Sequence, residues 1–445
     1  MAAVGASPAR PSTAVAGARG AARCGAAAAC DDETSQQCAS RLACDEGCTA
    51  LRYLRMLEPL APDTAPEPAP DAAAWSLTPA QIAHFQQNGF VVVEGVLDAE
   101  GAENARRDFQ AALLEYGVDL SKLADESSTH ALKLLSSTHG AGGVLDLFYD
   151  RWKLELSLEN ERYVTAMKQL LTATYGTNAA PWEHPYGKIS GDVWAHVDRV
   201  GCRVADVEGG GKSVQRSLTP HLDCCPDALH SGGNKQFPRW RPIQCLLSLT
   251  ATLEAGQGGF ECAPGFHLDF EEYYARRQQT MHDDANDNAL NKSASAKPGA
   301  TTKPGASAKP GAPAAKRLPC VKLPCVGDYI AVSARDDPYI LRRFQHIPIP
   351  TGAAIFWDQR LPHANALRNT AGPRLVLYGG FLPRGVPCND AYAKEQLRRL
   401  LKAEAQPDFW MGKKSTLQTP PLEEISETLR RLSPSAKEML GLVNL

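Results

Sequence analysis

The chain has 445 residues, of which 43% are hydrophobic and 22% charged, an ordinary composition for a soluble globular protein. Its formal net charge is −3, so it lacks the overall basic field of a nucleic-acid-binding protein, and we expect no nucleic-acid partner. No apolar stretch is long enough to span a bilayer, so a transmembrane segment is not expected either.

The 13 cysteines are distributed unevenly along the chain. Five of them lie near the start: Cys24, Cys30, Cys38, Cys44 and Cys48. The total is odd, and the spacing between Cys44 and Cys48 matches no common zinc framework. We therefore predict free thiols in a reducing compartment rather than a set of disulfides.

The first 74 residues are predicted to be a disordered extension that ends in a linker. Residues 1–30 are rich in Ala, Gly and Arg and contain no acid, which fits an organellar transit peptide and equally a disordered segment. Residues 59–74 are rich in proline, as linkers often are. The C-terminal residues 442–445 are not a peroxisomal signal of the Ser-Lys-Leu type, so we expect a cytoplasmic or organellar protein.

The folded domain is predicted to open with a helix and a strand. Thr78 can cap the helix, Pro79 suits the first helical position, and Gln81 can complete a capping box. Gly89 is expected to end the helix, because a left-handed turn costs little at glycine. The apolar run Phe90–Val96 then predicts a strand.

Helical patterning gives way to β patterning further along the chain. Apolar periodicity predicts helices over Asp98–Tyr116 and Glu161–Tyr175. From about Lys188 to Pro383, short β-rich runs alternate with Gly, Pro and Asp, which is typical of a sandwich or barrel. We therefore predict one mainly β domain with flanking helices over residues 75–390.

Two segments depart from this β pattern. Residues 283–317 contain a six-residue repeat built on Lys-Pro-Gly-Ala, which cannot bury a core and predicts a disordered insertion. After residue 390, helical patterning returns over Ala391–Ala405 and Leu422–Leu432, so residues 391–445 are predicted to form a helical tail.

The His-x-Asp spacing is the first chemical signal, because side chains at i and i+2 of a strand project to one face. It occurs at His196/Asp198, at His221/Asp223 and at His267/Asp269. The second pair ends a short β-like run before a Pro-containing loop, where a coordination site is accessible. The first pair lies in a plausible strand, Val193–Val200, and remains an alternative, whereas the third follows Pro-Gly-Phe and indicates a turn.

A third ligand and an anion-binding residue follow near the end of the β region. The apolar run from Ile355 leads to His363, and Arg374 opens the strand Arg374–Tyr378. Two histidines and a carboxylate on one face of an octahedron suit iron(II) that activates dioxygen. Alternation predicts that Arg374, Val376 and Tyr378 share a face, where the guanidinium fork can grip a carboxylate with two hydrogen bonds.

Four segments together resemble the phytanoyl-CoA dioxygenase family of iron(II)/2-oxoglutarate-dependent oxygenases. They are Leu77–Val93, the triplet at His221, the Gly-rich strand with its Pro-Gly-x-His turn at Gly258–His267, and the stretch from Gly352 through His363 to Arg374. The order of the four pieces makes the resemblance specific. It covers about residues 75–383, apart from the insertion.

The resemblance implies a double-stranded β-helix core of the jelly-roll or cupin-like kind. It also implies that His221, Asp223 and His363 bind Fe(II), that Arg374 binds the distal carboxylate of 2-oxoglutarate, and that Asn365 lies near that co-substrate. The activity implied is hydroxylation of a C–H bond in a small-molecule or lipid-like substrate, with O2 consumed and succinate and CO2 released. An aspartate ligand also speaks against a halogenating relative, in which a small residue admits a halide.

Two other functions stay open on the sequence. One is a non-catalytic β-helix that acts as a binding module. The other is a zinc site that uses His221 with Cys224 and Cys225. Polar residues on predicted strands are further candidates to face the pocket, although hydrogen bonding within a sheet explains them equally well: Lys188, Arg199, Arg203 and Gln244.

Overall fold

The computed structural model describes most of the chain beyond residue 74. The described residues are 75–123, 126–136, 141–206, 215–224, 239–273, 275, 329–332, 334, 337–406 and 419–442. They all belong to one compact unit, Pro70–Leu445. The predicted extension at 1–74 and the predicted insertion at 283–317 lie outside the described residues. Among the helices described, none is both long and apolar enough to cross a membrane.

The α-helices, in chain order, are α1 (Pro79–Asn88), α2 (Ala99–Glu115), α3 (Glu126–Leu134), α4 (Arg151–Leu158), α5 (Glu161–Ala173), α6 (Pro338–Leu341), α7 (Pro387–Leu400), α8 (Leu422–Arg431) and α9 (Pro434–Leu440).

The β-strands, in chain order, are β1 (Phe90–Val93), β2 (Val144–Leu145), β3 (Val193–Ala195), β4 (Val200–Arg203), β5 (His221–Leu222), β6 (Ile243–Ser248), β7 (Phe260–Cys262), β8 (Ile330–Ala331), β9 (Gln345–His346), β10 (Ala354–Asp358), β11 (His363–Asn365), β12 (Arg374–Gly379) and β13 (Phe381–Pro383).

The first helix forms as its local sequence predicts. The Thr78 hydroxyl accepts from the backbone N–H of Gln81, and the Gln81 side chain accepts from the backbone N–H of Thr78. Gly89 ends the helix with φ of 78° and donates its N–H to the Phe85 carbonyl. The predicted strand after it is shorter than expected, because Gly95 takes a positive φ of 65° and the chain turns.

The strands form two larger antiparallel sheets. The six-stranded sheet has the order β1-β10-β6-β12-β4-β2, and the five-stranded sheet has the order β8-β5-β11-β7-β9. A two-stranded sheet pairs β13 with β3. The strand pairs are antiparallel throughout. The architecture is thus mainly antiparallel sheets with flanking helices, as predicted.

The six-stranded sheet has two different buried faces. One face packs on the helices, where Tyr163 of α5 lies 5.5 Å from Phe356 of β10, centroid to centroid. The opposite face packs on the five-stranded sheet, where Trp357 of β10 lies 5.0 Å from Phe260 of β7. We call this opposite face the inner face. Alternation along β10 and its neighbours therefore divides the side chains between the helical layer and the space between the sheets.

The predicted long helices agree with the structure to within one or two residues at most ends. The first tail helix, α7, starts at Pro387, earlier than the predicted residue 391 and before the predicted domain boundary at 390. The predicted strand over Val193–Val200 is interrupted, because residues 196–199 form no strand between β3 and β4. The first His-x-Asp pair therefore lies on a loop.

Candidate metal centre

Two histidines face each other across a pair of short strands. β5 contains only His221 and Leu222, and it pairs with β11 so that His221 lies directly opposite His363. Directly opposed side chains in an antiparallel pair share one face of the sheet. The two imidazole centroids are 4.3 Å apart. Two distant parts of the sequence thus meet through one strand pairing.

Asp223 follows β5 and completes a group that we call the metal triad: His221, Asp223 and His363. Its Oδ1 lies 3.5 Å from His221 Nε2, and its Oδ2 lies 3.6 Å from His363 Nε2. Among the described residues, this is the one group of three or more His, Cys, Asp or Glu whose potential ligand atoms lie within 4.8 Å of one another. Ligand atoms about 2.1 Å from one ion and at right angles lie about 3 Å apart, so a small contraction would fit a metal ion.

Backbone carbonyls fix the orientation of both imidazoles. His221 Nδ1 lies 2.7 Å from the Thr219 carbonyl oxygen, and His363 Nδ1 lies 2.9 Å from the Leu361 carbonyl oxygen. A carbonyl oxygen only accepts, so each Nδ1 carries the proton and each Nε2 carries the lone pair. Both lone pairs consequently face Asp223. This arrangement resembles the way in which outer partners orient metal-binding histidines.

Electrostatics favour the protonation states that bind metals. Burial raises the pKa of the Asp223 carboxyl, but the nearby imidazoles of His221 and then His363 outweigh burial and hold that pKa well below its usual range. The pKa of His363 is lowered, first by burial and then by the charge of His221. An ionised carboxylate and a neutral imidazole are the forms in which these side chains coordinate a metal.

Aromatic rings enclose the two imidazoles. Phe260 stacks on His363 at 5.7 Å with an interplanar angle of 19°, and Trp357 lies 5.3 Å from the same imidazole. Tyr329, just before β8, stacks on His221 at 4.9 Å with an angle of 24°. These rings shield the triad from water on several sides, which strengthens the electrostatic interactions inside.

Arg374 opens β12 on the inner face, as alternation predicts. Val376 and Tyr378 of the same strand belong to the cluster between the sheets, whereas Leu375 and Leu377 pack on the helical side. The Arg374 side chain is 2% exposed, and neither its Nη1 nor its Nη2 has a hydrogen-bond partner in the described part of the chain. A buried guanidinium without a partner is costly, so this geometry calls for an anion.

The chain just after Asn365 is hydrogen-bonded to β4, the strand that pairs with the Arg374 strand. Arg203 of β4 is directly opposite Arg374, and its Nη2 donates to the Leu367 carbonyl at 3.0 Å, two residues after Asn365. Asn365 itself is buried on β11, and its Nδ2 donates to the Gly142 carbonyl at 3.1 Å. One amide N–H is therefore used by the main chain, and the amide has further hydrogen-bonding capacity.

The other two His-x-Asp pairs serve structural contacts. Asp198 Oδ2 accepts from Arg241 Nη1 at 2.6 Å, and its partner His196 lies on a loop beneath Gly380. The third pair forms the turn that the sequence indicates, Phe266–Leu268. Its His267 Nε2 contacts the Gln86 carbonyl at 3.0 Å, and its aspartate pairs with Arg343.

The four additional polar candidates divide into different environments. Lys188 is exposed and lies in a loop, so its predicted strand position is wrong. Arg199 precedes β4 rather than lying on it, and its Nε pairs with Asp146 at 2.8 Å. Arg203 and Gln244 are on strands, as predicted. Gln244 Nε2 and Arg203 Nε are both buried without a hydrogen-bond partner among the residues described.

The predicted zinc alternative gains no support from the described residues. Cys224 is buried but does not belong to the group of possible ligand atoms, and Cys225 lies outside the described residues. Sequence reasoning misses three aromatic residues at the site, Tyr329, Phe260 and Trp357. Alternation along the strand before His363 was an available signal for Trp357, whereas Tyr329 follows the low-complexity stretch and had none.

The comparisons with known proteins show a shared fold. No known protein family and no curated protein matches the sequence. The chain is similar to a hypothetical protein, JW0805, from Escherichia coli, with a TM-score of 0.55, 16% identity, and coverage of 92% of this chain and 91% of the other. It is also similar to the GlcNAc Inducible Gene 2 protein, GIG2 (DUF1479), from Candida albicans, with a TM-score of 0.50, 14% identity, and coverage of 84% and 78%.

A weaker similarity involves a structure that was solved with a bound metal. HygX from Streptomyces hygroscopicus, solved with nickel and 2-oxoglutarate bound, has a TM-score of 0.37 and 12% identity, and the match covers 69% of this chain and 88% of the other. A score that low supports no argument about this chain. The assignment of function therefore depends on the chemistry of the site.

Proposed function

We propose that the chain is an iron(II)- and 2-oxoglutarate-dependent dioxygenase that hydroxylates a C–H bond of a small-molecule or lipid-like substrate. The observation that supports this proposal most directly is the metal triad, in which two imidazole lone pairs and an ionised carboxylate point at one another. Three electron-pair donors repel unless a cation lies between them. Two histidines and one carboxylate are the donor set suited to iron(II) with open positions for other ligands.

Arg374 supports 2-oxoglutarate as the co-substrate. Its buried guanidinium has two nitrogens without partners among the described residues, and a planar fork binds a carboxylate with two parallel hydrogen bonds. In this proposal the triad would hold the iron and Arg374 the distal carboxylate, while Asn365 lies on β11, the strand that carries His363. With iron and 2-oxoglutarate bound there, O2 would be the oxidant: one oxygen atom would enter succinate as CO2 leaves, and the other would become the hydroxyl of the substrate.

The strand order supports the finer description of the fold as a double-stranded β-helix. From β4 to β7, successive strands alternate between the six-stranded and the five-stranded sheet, and β10, β11 and β12 alternate in the same way. This alternation is the pattern of a jelly roll. It agrees with the resemblance of four sequence segments to the phytanoyl-CoA dioxygenase family. The presence of Asp223 favours hydroxylation over halogenation within such a family.

The test is a pair of measurements on the full chain purified without oxygen. Iron(II) is expected to bind once per chain, and 2-oxoglutarate is expected to produce a metal-to-ligand charge-transfer band. On exposure to O2, succinate is then expected to form only when both iron and 2-oxoglutarate are present. Binding of 2-oxoglutarate without succinate would identify a non-catalytic binding module. Failure of the charge-transfer band to appear would reject the proposal.

A further inference from the structure

Two buried donors lie side by side on the inner face, at the end remote from Arg374. Gln244 of β6 is directly opposite Trp357 of β10, so both side chains project to the same face. Trp357 is also next to the metal triad, with its indole 5.3 Å from the His363 imidazole. Whatever binds these donors would therefore lie beside the proposed iron.

Neither donor is satisfied within the described part of the chain. Gln244 is 4% exposed and Trp357 is 3% exposed, and both Gln244 Nε2 and Trp357 Nε1 lack a hydrogen-bond partner there. A buried N–H without an acceptor costs free energy, and native proteins rarely keep one without a reason. Two such groups on directly opposed residues indicate a missing acceptor.

The amide of Gln244 has a defined orientation. Arg241 Nη2 donates to Gln244 Oε1 at 2.9 Å, and because a guanidinium only donates, the oxygen must face it. Arg241 is held in turn by Asp198, whose Oδ2 accepts from Nη1 at 2.6 Å. The NH2 end of the amide is therefore the end that remains for a ligand.

The net charge around Gln244 and Trp357 differs from the charge at the Arg374 end of the inner face. The cation of Arg241 is balanced by the carboxylate of Asp198, and Gln244 and Trp357 are neutral donors. An anion placed here would lose its hydration without meeting an unpaired cation, which is unfavourable. A neutral oxygen acceptor loses much less on burial and needs only the two N–H groups.

We infer that Gln244 and Trp357 determine substrate specificity by donating to a neutral oxygen acceptor, such as the carbonyl of an amide, ester or ketone. This inference rests on the proposed oxygenase function and narrows its substrate class. The substrate carries an uncharged carbonyl-type oxygen close to the C–H bond that is oxidised. A pure hydrocarbon end or a carboxylate is disfavoured at this position.

The experiment measures how small-molecule probes bind to the full chain, which is loaded anaerobically with iron(II) and 2-oxoglutarate. The probes are primary carboxamides paired with their carboxylates, for example hexanamide with hexanoate and benzamide with benzoate. Equilibrium dialysis measures their binding. The expected result is that carboxamides bind more tightly than the matching carboxylates. Equal or tighter binding of the carboxylates would overturn the inference.

Two variants and one control test the residues themselves. Trp357→Phe keeps the ring and removes the N–H, so carboxamide affinity should fall roughly three- to tenfold, the effect of one neutral hydrogen bond. Gln244→Glu keeps an oxygen for Arg241 but replaces the donor with an acceptor, so its loss should be larger. The control is Trp152→Phe on α4, because the Trp152 Nε1 is also buried without a partner among the described residues, but its ring stacks on Phe109 in the helical layer.

The outcomes separate this inference from the proposed function. Retention of carboxamide affinity in Gln244→Glu would show that Gln244 only supports Arg241, and the inference would be wrong. If 2-oxoglutarate binds and yields succinate while no carboxamide is preferred, the inference alone fails. If 2-oxoglutarate does not bind to the wild-type protein, the proposed function fails, and the inference fails with it.

Discussion

Replacing Arg374 with methionine should keep or raise the melting temperature of the protein and should weaken its affinity for 2-oxoglutarate. In the ligand-free protein the guanidinium is 2% exposed, with Nη1 and Nη2 unpartnered among the described residues, so it carries an uncompensated charge. Methionine fills a similar volume without charge. Replacing buried ionic groups by apolar ones is often neutral or stabilising by about 1–4 kcal/mol. We therefore expect Arg374→Met to keep or raise the melting temperature without co-substrate.

The affinity for 2-oxoglutarate should fall in the same variant. Removing one partner of a buried, hydrogen-bonded charge pair costs about 2–5 kcal/mol, which corresponds to a factor of roughly 30 to several thousand in the dissociation constant. Arg374→Lys keeps the charge but loses the fork, so it should bind more weakly than the wild type and more tightly than Arg374→Met. Iron should still bind to both variants, because Arg374 is not a ligand.

The assay is a 2-oxoglutarate titration of the anaerobic iron(II) protein, followed by the charge-transfer band, together with thermal melts before ligand is added. Arg384→Met is the matched control, because the Arg384 guanidinium is fully engaged by the Val193 carbonyl and by Glu438. Its 2-oxoglutarate affinity should equal that of the wild type. The reasoning is refuted if Arg374→Met binds 2-oxoglutarate normally, or if it lowers the melting temperature of the ligand-free protein.

Three further predictions test the metal triad, the acid side of the stability curve and the turn after α1. Alanine at any triad position should abolish iron binding and 2-oxoglutarate turnover while leaving the circular dichroism spectrum intact, and His196→Ala should bind iron normally. Loss of iron from His196→Ala alone would reassign the triplet. Burial lowers the pKa of His267 below its ordinary 6.5, so unfolding takes up a proton. The stability that neutral His267 contributes is fully present above pH 6.5 and is lost as the pH falls toward its folded-state pKa. In urea melts, the free energy of unfolding of His267→Gln should therefore fall less steeply with decreasing pH than that of the wild type, by at most about 1.4 kcal/mol per pH unit. Gly89 and Gly385 both have φ of 78°, but a Cβ at Gly89 would lie 2.6 Å from His267 Nδ1, whereas at Gly385 nothing lies within 4 Å. Gly385→Ala should therefore lower the free energy of unfolding by about 1–2 kcal/mol, and Gly89→Ala should lower it by about 1–3 kcal/mol more. Denaturant melts that show equal losses of stability for the two variants would contradict this prediction.

Features that depend on a few neighbouring residues were predictable from the sequence. The start and end of α1 follow from Thr78, Gln81 and Gly89, which interact within a single turn of helix. The inward direction of Arg374 follows from alternation along its own strand. The strand position of Lys188 was wrong, because β propensity cannot show where pairing with another strand begins.

Features that depend on which strands pair were not available from the sequence. From the sequence alone Gln244 is a polar residue on a predicted strand, and nothing local indicates that Trp357 lies opposite it. That an N–H lacks a partner is a property of the whole environment, since any nearby carbonyl would satisfy it. The same holds for the stacking of Tyr329 on His221, which joins residues on either side of a long stretch of sequence.

The geometry of the metal triad depends on one strand register. Each imidazole is oriented by the carbonyl two residues before it, Thr219 for His221 and Leu361 for His363, so the orientation is local to each strand. The distance between the two imidazoles is not local, because it requires His221 directly opposite His363. A slip of one residue would turn one imidazole to the other face of the sheet. β5 contributes only two residues to this pairing, so β11 must be fixed from its other side, where it pairs with β7 over its whole length. The Gly-rich segment that ends in β7 therefore matters to the site although it supplies no ligand: it holds the strand that carries His363 in the one register at which the triad can close around a metal ion.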